Sequence, residues 1–171
     1  MYWILFVMAL IASVVIAMIV GGLVTARAHT VSQSATVPAS INDVWRTIRT
    51  VDQYATWRSD LEDVDLINTT ESQVRWREQS TRRSVMYGIV HEEAPHRLVV
   101  RILDDDLPYS GEWEWTLREQ GTGTSVTITE RGEISNPIFR LIGTYFIGHT
   151  KTIARVLNDL AQVMQRPSGA R

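Results

Sequence analysis

The sequence predicts an α+β domain set behind one membrane-spanning helix. Three observations predict it: an uncharged apolar run at the N-terminal end, a central block of period-two segments separated by turn residues, and a long amphipathic helical pattern near the C-terminal end.

Residues 1–26 carry no charged side chain, and from Tyr2 to Val24 the run is apolar except for Ser13 and the Gly21-Gly22 pair. A helix of this length, at ~1.5 Å per residue, spans the ~30 Å hydrocarbon core of a bilayer. A cleaved signal peptide competes, because Ala26-Arg27-Ala28 is an A-x-A-like site. However, the basic n-region is missing and the apolar run exceeds the usual length of about 7–15 residues. The balance favours a retained single-pass anchor over residues 1–26. Arg27 is the basic side chain beside it, so the positive-inside tendency leans the soluble part towards the cytoplasm.

With 17 basic and 19 acidic side chains, the formal net charge is −2, which gives no electrostatic footprint for nucleic acid. Cysteine is absent, and with it disulfides, thiolate catalysis and cysteine metal sites. No cofactor or metal is expected.

The stretch PASINDVWRTIRTVDQYATW, residues 38–57, holds two helix starts. Ser40 is a good N-cap with Asp43 three residues on, and Ile41, Val44, Trp45 and Ile48 share one face. Asp52 is expected to cap a second turn that sets Val51, Tyr54 and Trp57 on one side. Neither piece is long enough to stand alone in water.

HTVSQSATV, before these helices, is the first of about seven strands. LEDVDLIN, SQVRWREQ, RRSVMYGIVHEE, HRLVVRIL, GEWEWTLRE and TSVTITERGEI follow, joined by short turns that favour an antiparallel meander. In GEWEWTL, Trp113, Trp115 and Leu117 fall on one face and Glu112 and Glu114 on the other. At Asn136-Pro137 the pattern turns helical and runs to about Gln165, with Pro137 suited to the first helical position. Ile138, Ile142, Phe146, His149, Ile153, Val156, Leu160 and Met164 form its apolar stripe, while Arg140, Lys151, Arg155, Asp159 and Gln162 are expected largely away from it. Residues 166–171, RPSGAR, read as a disordered tail.

Several segments imitate chemistry. In HEEAPH, His91 and His96 are spaced wrongly for a helical zinc site and Pro95 opposes the helix, so a strand-end turn is expected. The GTG at residues 121–123 joins two strands and reads as a hairpin turn. Asp104, Asp105 and Asp106 read as solvated turn carboxylates, and Asn68 begins a glycosylation sequon that matters only in a eukaryotic secretory lumen. Two residues are candidates for polar chemistry. His149 lies on the helix stripe, where packing as a satisfied core histidine outweighs a ligand role, and Glu130 shares parity with Val126 and Ile128. They make an acid/base pair only within ~3 Å or through one water.

The order strand, two short helices, six strands and one long helix resembles the START-like, or Bet v 1-like, helix-grip superfamily (SRPBCC; polyketide cyclase/dehydrase and lipid transport). VPASINDVWRTIRTVDQYATW, GEWEWTLREQGTGTSVTITERGEISNPIFR and FIGHTKTIARVLNDL carry the likeness, which covers roughly residues 30–165. The resemblance implies a helix-grip fold: the two short helices form a V at one end of a curved antiparallel sheet, and the last helix lies across the sheet over a cavity. Trp45, Tyr54 and Trp57 would wedge that end, with Trp45 as core packing. Parity and the helix stripe place Leu66, Trp76, Leu98, Val100, Ile102, Trp113, Trp115, Val126, Ile128, Phe146, His149 and Ile153 around the cavity, a mostly apolar set. The expected function is a membrane-tethered binding or transfer module for a small hydrophobic ligand such as a lipid, quinone or polyketide-like molecule. The alternatives are a cyclase or dehydratase using His149 and Glu130, and an interaction module with a vestigial cavity.

Overall fold

The computed structural model describes residues 2–67, 70, 73–81, 83–137, 140 and 150–165. Helix α1 (Tyr2–Val24) is followed after only three residues by strand β1 (Ala28–Val37). Helix α2 (Ile41–Arg49), a 3₁₀ turn (Val51–Gln53) and helix α3 (Tyr54–Trp57) lead into β2 (Asp63–Leu66), β3 (Arg75–Ser80), β4 (Arg83–Glu93), β5 (Arg97–Ile102), β6 (Tyr109–Gln120) and β7 (Gly123–Ile134). Helix α4 (Thr150–Gln165) ends the described chain. The seven strands form one antiparallel sheet in the order β1-β7-β6-β5-β4-β3-β2, a meander onto whose last strand β1 folds back. This is the helix-grip arrangement.

Local chemistry explains most of the boundaries. Ser40 Oγ accepts from the Asp43 amide and donates to the Asp43 carboxylate at 2.6 Å, closing the start of α2. Asp52 does not cap α3: it lies inside the 3₁₀ turn, Gln53 takes the N-cap position without a side-chain bond, and the Asp52 carboxylate accepts from the Gln53 amide instead. The face expected for Val51, Tyr54 and Trp57 is nonetheless correct, and all three are buried. Gly121, at φ +60, supplies the left-handed residue of the β6–β7 hairpin, a conformation costly for other side chains. The His91 to His96 segment is the β4–β5 hairpin, with the His96 amide bonded to the Glu93 carbonyl.

Register settles which face is which. Trp115 lies opposite Ile128 and Leu98, and Trp113 opposite Glu130 and Val100, so these share the inner face that α2 and α4 cover. Glu112 and Glu114 lie on the outer face within a ladder across three strands: Arg97 to Glu114 at 2.6 Å, Glu114 to Arg131 at 2.6 Å, and Glu112 to Arg101 at 2.9 Å. From α4, Ile153, Val156, Leu157 and Leu160 enter the core.

Two sequence expectations need correction. Leu66 has the expected parity, opposite Trp76, but it is 51% exposed, because it is the last residue of a four-residue edge strand whose contact with the core is made by Val64. Arg140, expected largely away from the apolar stripe, is nonetheless only 5% exposed, because its guanidinium is taken up by backbone carbonyls where α1 meets the end of β7. Phe146, His149 and Asn68 lie outside the described residues.

Candidate functional site

The inner face is built from alternate residues of the strands, and its apolar part is continuous. Trp76, Leu98, Val126, Ile128 and Ile153 are fully buried, and Val100 and Trp115 nearly so. Trp113 is half-buried and meets Trp115 edge-on at 6.4 Å. Ile102 is half-buried and borders a depression of about 430 Å³ at the end of the sheet nearest α1. His29, Gly111 and Gly132 also border it, but most of its lining, Arg101, Glu112, Arg131 and Glu133 included, belongs to the outer face of the sheet.

Polar groups interrupt this face in two clusters. The first centres on Glu130. His29 Nε2 donates to its Oε1 at 2.9 Å and Trp113 Nε1 to its Oε2 at 2.8 Å, with His29 and Glu130 side chains 22% and 19% exposed. The His29 ring lies over Gly132, where any Cβ would overlap it. An imidazole held by a carboxylate forms an acid/base pair that can exchange a proton with a polar group brought beside it. Sequence reasoning placed Glu130 inward but missed His29. The usable signal was parity, since His29 continues the inward series Val31, Gln33, Ala35 and Val37 along β1.

The second cluster sits beneath α3. Arg58 donates to Glu78 at 2.9 Å and to Asp60 at 2.9 Å, with Arg58 and Glu78 side chains each 8% exposed. Trp76 Nε1 also donates to Glu78, and the Arg58 guanidinium stands 5.5 Å from the centre of the Tyr54 ring. Burial raises the Tyr54 phenol, whose hydroxyl donates to the Ile48 carbonyl, and it raises Tyr87 too, with the Glu78 charge adding in the same direction. This cluster is internally paired, so it fastens the helix pair to the sheet. Trp57 Nε1, close by, is a buried donor with no acceptor among the described residues.

Burial opposes ionisation of Asp60, but the Arg58 hydrogen bond and charge outweigh it and hold the carboxyl below its ordinary range. On the outer face, hydrogen bonds from Arg97 and then Arg131 lower Glu114 as well. A carboxyl whose folded pKa lies below its unfolded value adds stability above the unfolded value, about pH 4, and loses it as pH falls through the folded value. Thermal unfolding in detergent should therefore show a melting temperature that drops between pH 5 and 3. Asp60→Asn should flatten that drop, and an unchanged slope would remove Asp60 from the acid response.

A family model described as "Polyketide cyclase / dehydrase and lipid transport" matches residues 28–165. No curated protein matches in sequence. Among solved structures, the chain is similar to the Zhui aromatase/cyclase from Streptomyces sp. R1128, with a TM-score of 0.67 and 14% identity over 84% of this chain and 99% of that one. It is also similar to the STAR-related lipid transfer protein from Xanthomonas axonopodis, with a TM-score of 0.57 and 18% identity over 80% and 86%. The di-domain ARO/CYC BexL from the BE-7585A biosynthetic pathway matches with a TM-score of 0.69 and 11% identity over 82% of this chain, which spans only 51% of that protein. At these identities the likeness is one of fold.

Proposed function

The chain belongs to the polyketide cyclase/dehydrase and lipid transport family, and from that premise we propose that residues 1–26 tether a domain of residues 30–165 to a membrane, where it binds a small hydrophobic molecule. The observation that carries this reading is the distribution of polarity on the inner face. Aromatic and aliphatic side chains run unbroken from Trp76 to Ile128, and the Glu130–His29–Trp113 cluster stands at the end nearest α1. Such a face suits a ligand with an apolar body and one hydrogen-bonding end. Helix α1 is long and apolar enough to cross a bilayer, and nearly all its side chains are exposed, as lipid-facing residues are. Tethering keeps the domain at high effective concentration beside membrane-dissolved ligands, and Arg27 favours the cytoplasmic side.

A second reading, a cyclase or dehydratase, is favoured by the 2.9 Å His29–Glu130 contact. The acid/base pair it would use among the described residues is His29 with Glu130.

Native mass spectrometry of the full-length protein, extracted in mild detergent, should release an unmodified lipid- or quinone-sized molecule on unfolding. A dansyl-labelled fatty acid should bind saturably, and His29→Leu should weaken it about tenfold, the equivalent of one hydrogen bond of ~1.5 kcal/mol, while binding of pyrene stays unchanged. Conversion of a polyketide substrate would favour the enzyme. Absence of any bound molecule together with no saturable uptake would overturn both readings.

A further inference from the structure

Arg140 is a buried cation that pairs with no carboxylate among the described residues. Its guanidinium instead donates to four backbone carbonyls. Nη1 reaches Gly22 at 3.0 Å and Thr25 at 3.1 Å, Nε reaches Ile134 at 3.1 Å, and Nη2 reaches Ser135 at 3.0 Å. The first two acceptors belong to the C-terminal end of α1 and the residue just past it; the other two are the last residue of β7 and the one that follows it. One side chain therefore joins the apolar helix to the sheet. The chemistry is favourable, because the last carbonyls of a helix have no intrahelical partner and carry the negative end of its dipole. A carbonyl left unsatisfied at the edge of a hydrocarbon phase costs several kcal/mol, so these acceptors reward a fixed donor.

A second contact supports the same junction. Gly22 is buried within α1, and a Cβ there would overlap the Pro137 carbonyl. The Ile134 amide bonds to the Arg27 carbonyl at 2.9 Å, and Arg27 pairs with Glu133 at 2.9 Å, so the three-residue link is itself held to β7.

We propose that Arg140 and Gly22 lock the apolar helix onto the domain, so that the domain stands on the bilayer in one orientation and presents the His29 end of its inner face to the lipid headgroups. The inference rests on the reading that α1 is inserted in a membrane. It makes the bilayer surface a docking partner of defined geometry and assigns Arg140 as a positioning residue.

The sequence lacks cysteine, so spin labels can be placed at will on the full-length chain. With Ser13→Cys in α1 and Thr122→Cys in the far hairpin, reconstituted in phosphatidylcholine nanodiscs, pulsed dipolar spectroscopy should give one narrow distance distribution. Arg140→Gln and Gly22→Leu should each at least double its width, while the exposed change Arg46→Gln leaves it narrow. A broad distribution in the unmodified background, or a narrow one in both junction variants, would overturn the proposal. Should Arg140→Gln lose its tryptophan fluorescence and unfold, Gly22→Leu decides, since it lies in α1 outside the domain core. Alkaline carbonate extraction separates the two levels: release of the chain would sink membrane insertion itself, whereas a pelleted chain with broad distances would sink only the lock.

Discussion

Trp115→Ala is expected to destabilise the domain by about 3–5 kcal/mol, against less than about 1 kcal/mol for Glu112→Ala three residues earlier in the same strand. Trp115 is nearly fully buried between Leu98 and Ile128, so truncation removes the apolar transfer term and leaves a cavity that rigid strands on both sides cannot close. Glu112 belongs to the outer-face ladder, where its partners Arg101 and Arg131 are themselves about half exposed and each retains water. Guanidinium unfolding of the full-length chain in detergent, followed by far-ultraviolet circular dichroism, compares the two. Equal losses would mean that the face assignment of β6 is wrong.

Arg58→Met is expected to cost a similar amount, about 3–5 kcal/mol, for a different reason. It leaves the Glu78 carboxylate buried with Trp76 Nε1 as its remaining donor among the described residues, so an uncompensated charge remains inside the protein. Replacing both partners, with Arg58→Met and Glu78→Leu together, should recover a large part of the loss, because two apolar side chains of similar volume remove the desolvation penalty along with the attraction. Recovery in the double variant distinguishes a buried pair from two separate packing defects. Additive losses in this cycle would show that Arg58 and Glu78 act independently.

Residues whose role is fixed by their near neighbours were legible in the sequence. Ser40 and Asp43 cap α2 through a contact three positions apart, Gly121 turns a hairpin, and Trp113, Trp115, Glu112 and Glu114 take their faces from strict alternation. The stripe residues Ile153, Val156 and Leu160 followed from helical period and are fully buried. The resemblance to a helix-grip family supplied the assembly that periodicity alone left open. Polar contacts between residues far apart in the chain were not legible. His29 meets Glu130 across 101 positions, and Arg140 meets Gly22 across 118. Periodicity says which face a side chain takes, but not which distant acceptor waits there. Arg140 shows that lying away from an apolar stripe is not the same as being exposed, since a cation satisfied by helix-end carbonyls has no need of water. Asp52 and Leu66 failed for local reasons, one absorbed into a 3₁₀ turn and the other placed at the end of a short edge strand.

Only Thr25, Ala26 and Arg27 separate α1 from β1, and a fully extended chain of three residues reaches no more than ~11 Å. With α1 in a bilayer, this domain cannot ferry cargo to an opposing membrane or out into solution. On the proposed function, whatever delivers or receives the ligand must come to the domain, and for partners dissolved in the same leaflet or diffusing in that plane encounters become a two-dimensional search in which traffic depends on surface density rather than on bulk concentration.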